Sequence, residues 1–290
     1  KYPQPEAPVS NQPGVLYVVA TPIGNLDDLS PRALLTLNEV SLIAAEDTRH
    51  SSKLLRHFGI LTPVTAFHEH NEREKAAELV ALLGTGKSIA LISDAGTPLV
   101  SDPGYRLVRA THAAGIRVVP LPGACAAIVA LSASGLPSDR FAFEGFPPVK
   151  SAARRAWFEA PAREPRTLIV YESPHRIVES LQDMVAVFGA AREAVYAREL
   201  TKQFETVQHA TLGELVRRVT EDPNQQRGEI VVLIHGAVPA ATETGEDATR
   251  ILRILIKELP VRQAAALAAE ITGQKKNQLY ELALQLKQAP

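Results

Sequence analysis

Apolar runs of strand length alternate along this chain with stretches whose apolar positions recur at the spacing of one helix face. Val15 to Ala20 is the first run, and Ser30-Pro31 then opens a helix, Ser as N-cap and Pro at the first helical position. Val40 to Ala45 follows, with a helix opening near Asp47 and closing before Gly59. The order repeats as a helix over Glu72 to Leu83, a strand over Ile89 to Ser93, a helix near Gly104 to Ala113, a strand over Ile116 to Pro120 and an Ala-rich helix after Gly123. Strictly alternating elements predict a mostly parallel sheet with helices on its faces.

Leu136-Pro137-Ser138-Asp139 breaks the apolar pattern and reads as a connection to a second α/β unit ending near His235. Its strands are expected over Thr167 to Tyr171, Ala194 to Ala197 and Glu229 to Ile234, and its helices near Ala152 to Glu159, His175 to Phe188 and Leu212 to Val219. Gly236 to Asp247 lacks periodicity and reads as a flexible linker. Helices near Ala248 to Glu258, Val261 to Glu270 and Lys275 to Leu286 complete a small all-helical tail, while Lys1 to Pro13 reads as a flexible segment. The expected organisation is therefore α/β, with domains over 14–136 and 137–236, a linker over 237–247 and helices over 248–290.

The bulk numbers narrow the class. Hydrophobic residues make up 46% and charged residues 22% of 290, a globular composition. A net charge of −1 gives no global attraction to nucleic acid, so any such contact must come from local patches. One patch lies at the end, where Arg250 to Pro290 holds seven Lys or Arg against three acids. No apolar run approaches the ~20 residues a membrane helix needs, and a lone Cys125 suits a reducing compartment, so a cytoplasmic protein without membrane contact is expected.

Four turns that follow strands combine Gly, Pro and acids: Thr21 to Asn25, Ser93 to Pro98, Ser101 to Gly104 and Pro120 to Ala124. Ligands of parallel sheets sit beyond the carboxyl ends of the strands, so these turns are expected to share one cleft. There is no G-x-G-x-x-G after the first strand and no P-loop, which disfavours a dinucleotide or nucleotide-triphosphate enzyme. Four polar clusters offer chemistry: Ala44 to His50, Phe67 to Asn71, Tyr171 to Arg176, and Arg198 to Lys202, whose two cations could meet phosphate. Asp47 also suits a helix cap, and Ser173-Pro174 a helix start, so neither cluster is functional by necessity. The His68-Glu69-His70 run lacks the further ligands a metal site requires, and none is expected.

Taken together, Thr21 to Asn25, Leu42 to His50, Ser93 to Pro98 with Asp102 to Tyr105, Val118 to Gly123, Gly135 to Phe141, Tyr171 to Arg176, Ala197 to Lys202 and Lys275 to Tyr280 resemble the tetrapyrrole methylase superfamily, and within it the branch that methylates ribosomal RNA. The resemblance implies two α/β domains of the tetrapyrrole methylase type with a small C-terminal helical domain, assembled as a homodimer. It implies S-adenosylmethionine as donor and, as product, a 2′-O-methylated cytidine in the decoding region of 16S ribosomal RNA, with the 30S subunit as partner. Carried over by position, Pro22, Asp94, Ala95, Gly96, Asp102, Cys125, Ala126, Tyr171 and Ala197 would line the cofactor site. Pro22-Ile23 departs from the glycine-rich first loop of the tetrapyrrole enzymes.

Glu46, Asp47, His68 and His175 are the candidate bases for the acceptor hydroxyl, and Arg49, Arg176, Lys202, Lys275 and Lys276 the candidate RNA contacts. The tail has the rhythm of a helix-turn-helix, with Lys275, Lys276 and Asn277 opening its last helix; a purely packing role is the alternative. Two other functions share these features: C-methylation of a tetrapyrrole precursor, and a non-catalytic regulator that senses S-adenosylmethionine.

Overall fold

The computed structural model describes residues 12–238 and 243–288. The residues to His235 form one compact unit and those from Gly236 a second. Within the first unit, β1 (Leu16–Val19), β2 (Leu42–Ala45), β3 (Val64–Ala66), β4 (Ile89–Ile92) and β5 (Val118–Leu121) make an all-parallel sheet of order β3-β2-β4-β1-β5. This is the parallel sheet the alternation predicts. Its strands are short and apolar on both faces because both are covered. On one face Val19, Ile43, Ala45 and Ile92 meet Ala33 and Leu37 of α1 (Pro31–Glu39) and Leu55 of α2 (Thr48–His57). On the other, Leu16, Ala44, Ile89 and Leu91 meet Leu79 and Leu83 of α3 (Glu72–Gly84) and Leu107 of α4 (Tyr105–Ala113).

Local chemistry sets the helix starts. Ser30 Oγ accepts from the Ala33 N–H at 3.1 Å with Pro31 next to it, as the sequence predicts. Asp47 caps α2, accepting from the N–H groups of Arg49 at 2.8 Å and His50 at 3.4 Å.

The second sheet has order β6-β7-β10-β8-β9, formed by β6 (Phe141–Gly145), β7 (Thr167–Glu172), β8 (Glu193–Arg198), β9 (Thr206–Thr211) and β10 (Ile230–Ile234). It is mixed: β6 runs parallel to β7, while β10 pairs antiparallel with β7 and β8, and β8 with β9. Residues alternate between two cores with the period of a pleat. Leu168, Val170, Ala194, Tyr196, Ile230 and Val232 face α6 (Ser151–Glu159), α7 (Ile177–Phe188) and α8 (Leu212–Glu221). Ile169, Val195, Ala197, Val231 and Leu233 face α5 (Ala126–Ser134), the helix that follows β5. α5 thus joins the first sheet's chain to the second sheet's core, placing the strand ends of both sheets around common space.

The second unit comprises α9 (Glu243–Glu258), α10 (Val261–Thr272) and α11 (Lys276–Gln288), packed through Ala248, Leu252, Ala265, Ala268, Leu279 and Ala283. α9 begins inside the segment expected to be a linker, which corrects that expectation: acidic residues favour a helix start and outweigh weak Thr and Gly propensities. Residues 239–242 of the linker, and 1–11 of the expected N-terminal tail, lie outside the described residues. No described helix is long and apolar enough to cross a membrane.

Candidate active site

Three of the four Gly, Pro and acid turns converge, and they meet the second sheet. A cavity of about 390 Å³ is lined by Asp94, Ala95, Gly96 and Thr97 after β4, Asp102 in the following loop, and Cys125 and Ala126 at the start of α5. Tyr171 and Glu172 at the end of β7, Leu200 after β8 and Val231 of β10 close it from the other side. Gly96 holds φ +86°, and a Cβ there would stand 3.3 Å from Ile23 Cγ2, so only glycine keeps the turn relaxed and the cavity open.

The carboxylates decide the character of the space. Glu46 lines it at the end of β2, and burial with the charges of Asp102 and Asp94 pushes its carboxyl up to about 7. Burial likewise raises Asp102 to about 6, against the lowering effect of a Ser93 hydrogen bond. Glu172 Oε1 accepts from the Ser173 N–H at 2.7 Å and forms an ion pair with Arg176 Nη2 at 2.8 Å, while its Oε2 is buried without a hydrogen-bond partner. The crowded Glu46, Asp94 and Asp102, together with the buried and unsatisfied Glu172 Oε2, form a site that favours a cationic ligand. The Tyr171 hydroxyl accepts from the Ala127 N–H at 3.1 Å, and burial holds its proton more tightly than usual.

The loops are held from behind. Glu72 Oε1 accepts from the N–H groups of Gly104 at 3.1 Å and Arg106 at 2.9 Å, so α3 fixes the loop that carries Asp102. Thr97 Oγ1 donates to the Ala124 carbonyl at 2.9 Å. Leu99, Ser101, Glu199 and Thr201 all adopt positive φ, strained for residues with a side chain, and they lie in loops beside this cavity.

Of the residues assigned to the cofactor by resemblance, Asp94, Ala95, Gly96, Asp102, Cys125, Ala126 and Tyr171 line this cavity. Pro22 lines a neighbouring one, and Ala197 is fully buried in the second sheet. Of the four candidate bases only Glu46 lines the cavity. Asp47 is engaged as the α2 cap, His175 is exposed, and His68 follows β3 with its Nδ1 buried and unpartnered. Arg176 is tied to Glu172, Lys202 Nζ contacts Glu199 at 2.7 Å and Glu229 at 3.0 Å, and Arg49, Lys275 and Lys276 are exposed. Glu172, Leu200 and Val231 carry no role in the sequence reading; the hint is that Glu172 and Leu200 stand at strand exits.

The family model for tetrapyrrole (corrin/porphyrin) methylases matches residues 15–216, which include every loop just described. The chain belongs to the tetrapyrrole methylase family. Residues 242–287 match the RsmI C-terminal HTH domain. Among curated relatives, the ribosomal RNA small subunit methyltransferase I of Pseudomonas aeruginosa is 62% identical over 274 residues, covering 94% of this chain and 97% of that protein. Its namesake from Escherichia coli O157:H7 is 58% identical over 275 residues, covering 95% and 96%. The chain therefore falls in the ribosomal RNA small subunit methyltransferase I group of the family. Solved structures share the fold at low identity. A Thermus thermophilus uroporphyrin-III C-methyltransferase aligns at TM-score 0.55 and 20% identity over 77% of this chain and 94% of its own. A diphthine synthase aligns at 0.59 and 15% over 77% and 90%.

Proposed function

We propose that this protein transfers a methyl group from S-adenosylmethionine to the ribose 2′-hydroxyl of a cytidine in the decoding region of 16S ribosomal RNA, with the 30S subunit as substrate and as a cytoplasmic homodimer. The carrying observation is the acidic cavity at the strand exits, in a chain whose relatives at 62% and 58% identity are named as small-subunit ribosomal RNA methyltransferases. The donor fits the residues present. Its cationic sulfonium and ammonium suit the crowded carboxylates of Glu46, Asp94 and Asp102 and the unsatisfied oxygen of Glu172, and its adenosine suits the apolar walls Ile23, Leu200 and Val231 beside the open Gly96 backbone.

When bound, S-adenosylmethionine supplies an already activated methyl group, which leaves the protein to position and deprotonate the acceptor. The rigid loops behind Glu72 and Thr97 fix the cavity walls, and such alignment is worth several kcal/mol of the barrier. Glu46 is the residue for the proton. It lines the cavity with a carboxyl titrating near 7, so a large fraction is ionised at neutral pH and accepts the hydroxyl proton readily. The last helices, with Lys275 and Lys276 exposed at the start of α11, serve as an RNA grip.

The test is methyl transfer from labelled S-adenosylmethionine to 30S subunits lacking the modification, followed by nucleoside mass spectrometry of the 16S RNA. A labelled 2′-O-methylcytidine establishes donor, acceptor and reaction together. Transfer to tetrapyrrole precursors, with none to 30S subunits or 16S RNA, would replace this reading with C-methylation.

A further inference from the structure

α2 carries charge of one sign only. Between Thr48 and His57 it contains Arg49, His50, Lys53, Arg56 and His57 and no acid. Arg49, Lys53 and Arg56 follow the i, i+4, i+7 spacing of a single face and are exposed, while Ser51 and Leu55 are buried on the other side. Some other cations of this unit are neutralised locally, Arg217 by Glu221 at 2.8 Å, Lys75 by Glu78 at 2.8 Å and Lys202 by two carboxylates, whereas α2 gathers its cations on one face. Among the described residues Lys53 and Arg56 have no carboxylate within 4.0 Å, and Arg49 has only a 3.9 Å approach to Asp47. In a chain of net charge −1, an unneutralised stripe is a local source of attraction for a polyanion.

The stripe borders a second cavity, of about 270 Å³, walled by His50, Lys53 and Leu54 of α2, Pro22 and Leu26 of the first loop, and Lys202. Ile23, Asp94, Ala95 and Glu229 line both cavities, so the second adjoins the space assigned to the donor. Lys53 brings the stripe to its rim and its walls are partly apolar, which suits a nucleotide with its phosphate outward on α2 and its base within. The wall at Gly24 is close: a Cβ there would meet Lys202 Cγ at 2.4 Å.

We propose that α2 carries the RNA backbone on Arg49, Lys53 and Arg56 and that the second cavity receives the acceptor nucleotide, presenting its ribose to the first. This rests on the function proposed above and adds where its substrate lies.

The test pairs two exposed charge reversals, Lys53→Glu and Arg56→Glu, in one full-length variant. S-adenosylmethionine affinity by calorimetry is expected to stay at the wild-type value. kcat/KM for 30S subunits should fall about 100-fold near physiological salt, mostly through KM. The neutral pair Lys53→Gln and Arg56→Gln should make the slope of log affinity against log salt shallower by about two, one for each phosphate that is no longer neutralised. His50→Trp, which fills the second cavity, should keep RNA binding and lose turnover.

Unchanged kcat/KM in the reversal pair, or an unchanged salt slope in the neutral pair, overturns the stripe. Undiminished turnover in His50→Trp overturns the cavity assignment. A defect on 30S subunits with undiminished affinity for isolated 16S RNA would place a ribosomal protein against α2 and overturn the assignment to RNA. If the wild-type protein itself transfers no methyl to ribosomal RNA, the functional reading fails instead.

Discussion

The backbone N–H of Asp47 donates to Asp94 Oδ1 across 3.1 Å, pinning the exit of β2 to the exit of β4. The Asp94 backbone in turn favours the ionised Glu46 carboxyl, against the larger effects of burial and of the Asp102 and Asp94 charges. Neighbouring strand exits thus hold Glu46, Asp94 and Asp102 close enough that each charge raises the cost of the next.

Asp94→Asn separates the structural from the electrostatic half of this arrangement. The amide oxygen still accepts from Asp47, so the thermal midpoint should barely move, whereas Asp94→Ala leaves that N–H unpaired and costs about 1 to 2 kcal/mol. Both should weaken S-adenosylmethionine binding. Calorimetry showing undiminished affinity for Asp94→Asn would remove charge from the account of the cavity.

Raised carboxyl groups set a pH dependence of the ligand-free protein. Glu46 titrates near 7 when folded and near 4.5 when unfolded, so between these values the folded state binds more protons and stability falls as pH rises. Asp102, at about 6 against 3.8, acts in the same direction over its own window. Glu46→Gln should flatten the decline across pH 5 to 7 in a series of thermal melts and reduce turnover by about 10² to 10⁴-fold. A melt series as steep as wild type, or turnover within a few-fold of it, would exclude Glu46.

Cys125 is the one cysteine in the chain and lines the cavity beside Tyr171, so it reports occupancy. Maleimide modification should slow about tenfold when S-adenosylmethionine is present at ten times its Kd, because only the empty fraction reacts. Equal rates with and without the donor would place it elsewhere.

Lys202 stitches Glu199 to Glu229, and Gly228, at φ +82°, leaves no room for a Cβ, which would stand 2.3 Å from the Glu199 carboxylate. Lys202→Met strands a half-buried Glu199 and should cost about 1 to 2 kcal/mol in denaturant unfolding. Its effect on the salt dependence of RNA binding should be smaller than that of Lys53→Gln.

Truncation after His235 removes the second compact unit and leaves both cavities whole. Cofactor affinity should be retained, while 30S binding weakens about tenfold or more as one of two linked RNA-binding elements is removed. Equal affinity for 30S subunits, measured by sedimentation, would assign α9 to α11 a packing role.

Where hydrophobic periodicity was strong, the sequence was readable almost residue by residue. Ser30-Pro31 starts α1 and the apolar runs at 42–45 and 89–92 are buried strands, as capping and pattern require. Where strands are polar or short, the signal fails. Val64-Thr65-Ala66 forms the edge strand β3, and Thr206–Thr211 pairs only through β8; neither carries a continuous apolar run, because an edge strand is covered less than a central one.

The sequence by itself determined the parallel first sheet, most helix limits, the family and most of the loops that line the cavity, since these follow from periodicity, capping and motifs that are local along the chain. Only the tertiary structure decided which charges are free and which are spent. Glu46 meets Asp94 and Asp102 from separate strand exits, Arg176 closes on Glu172, and Lys202 reaches Glu229 across 27 positions of sequence, while Lys53 and Arg56 have no carboxylate partner among the described residues. Burial and ion pairing depend on which distant segments the sheets bring together, and a carboxylate or ammonium reads the same in sequence whichever neighbour it finds.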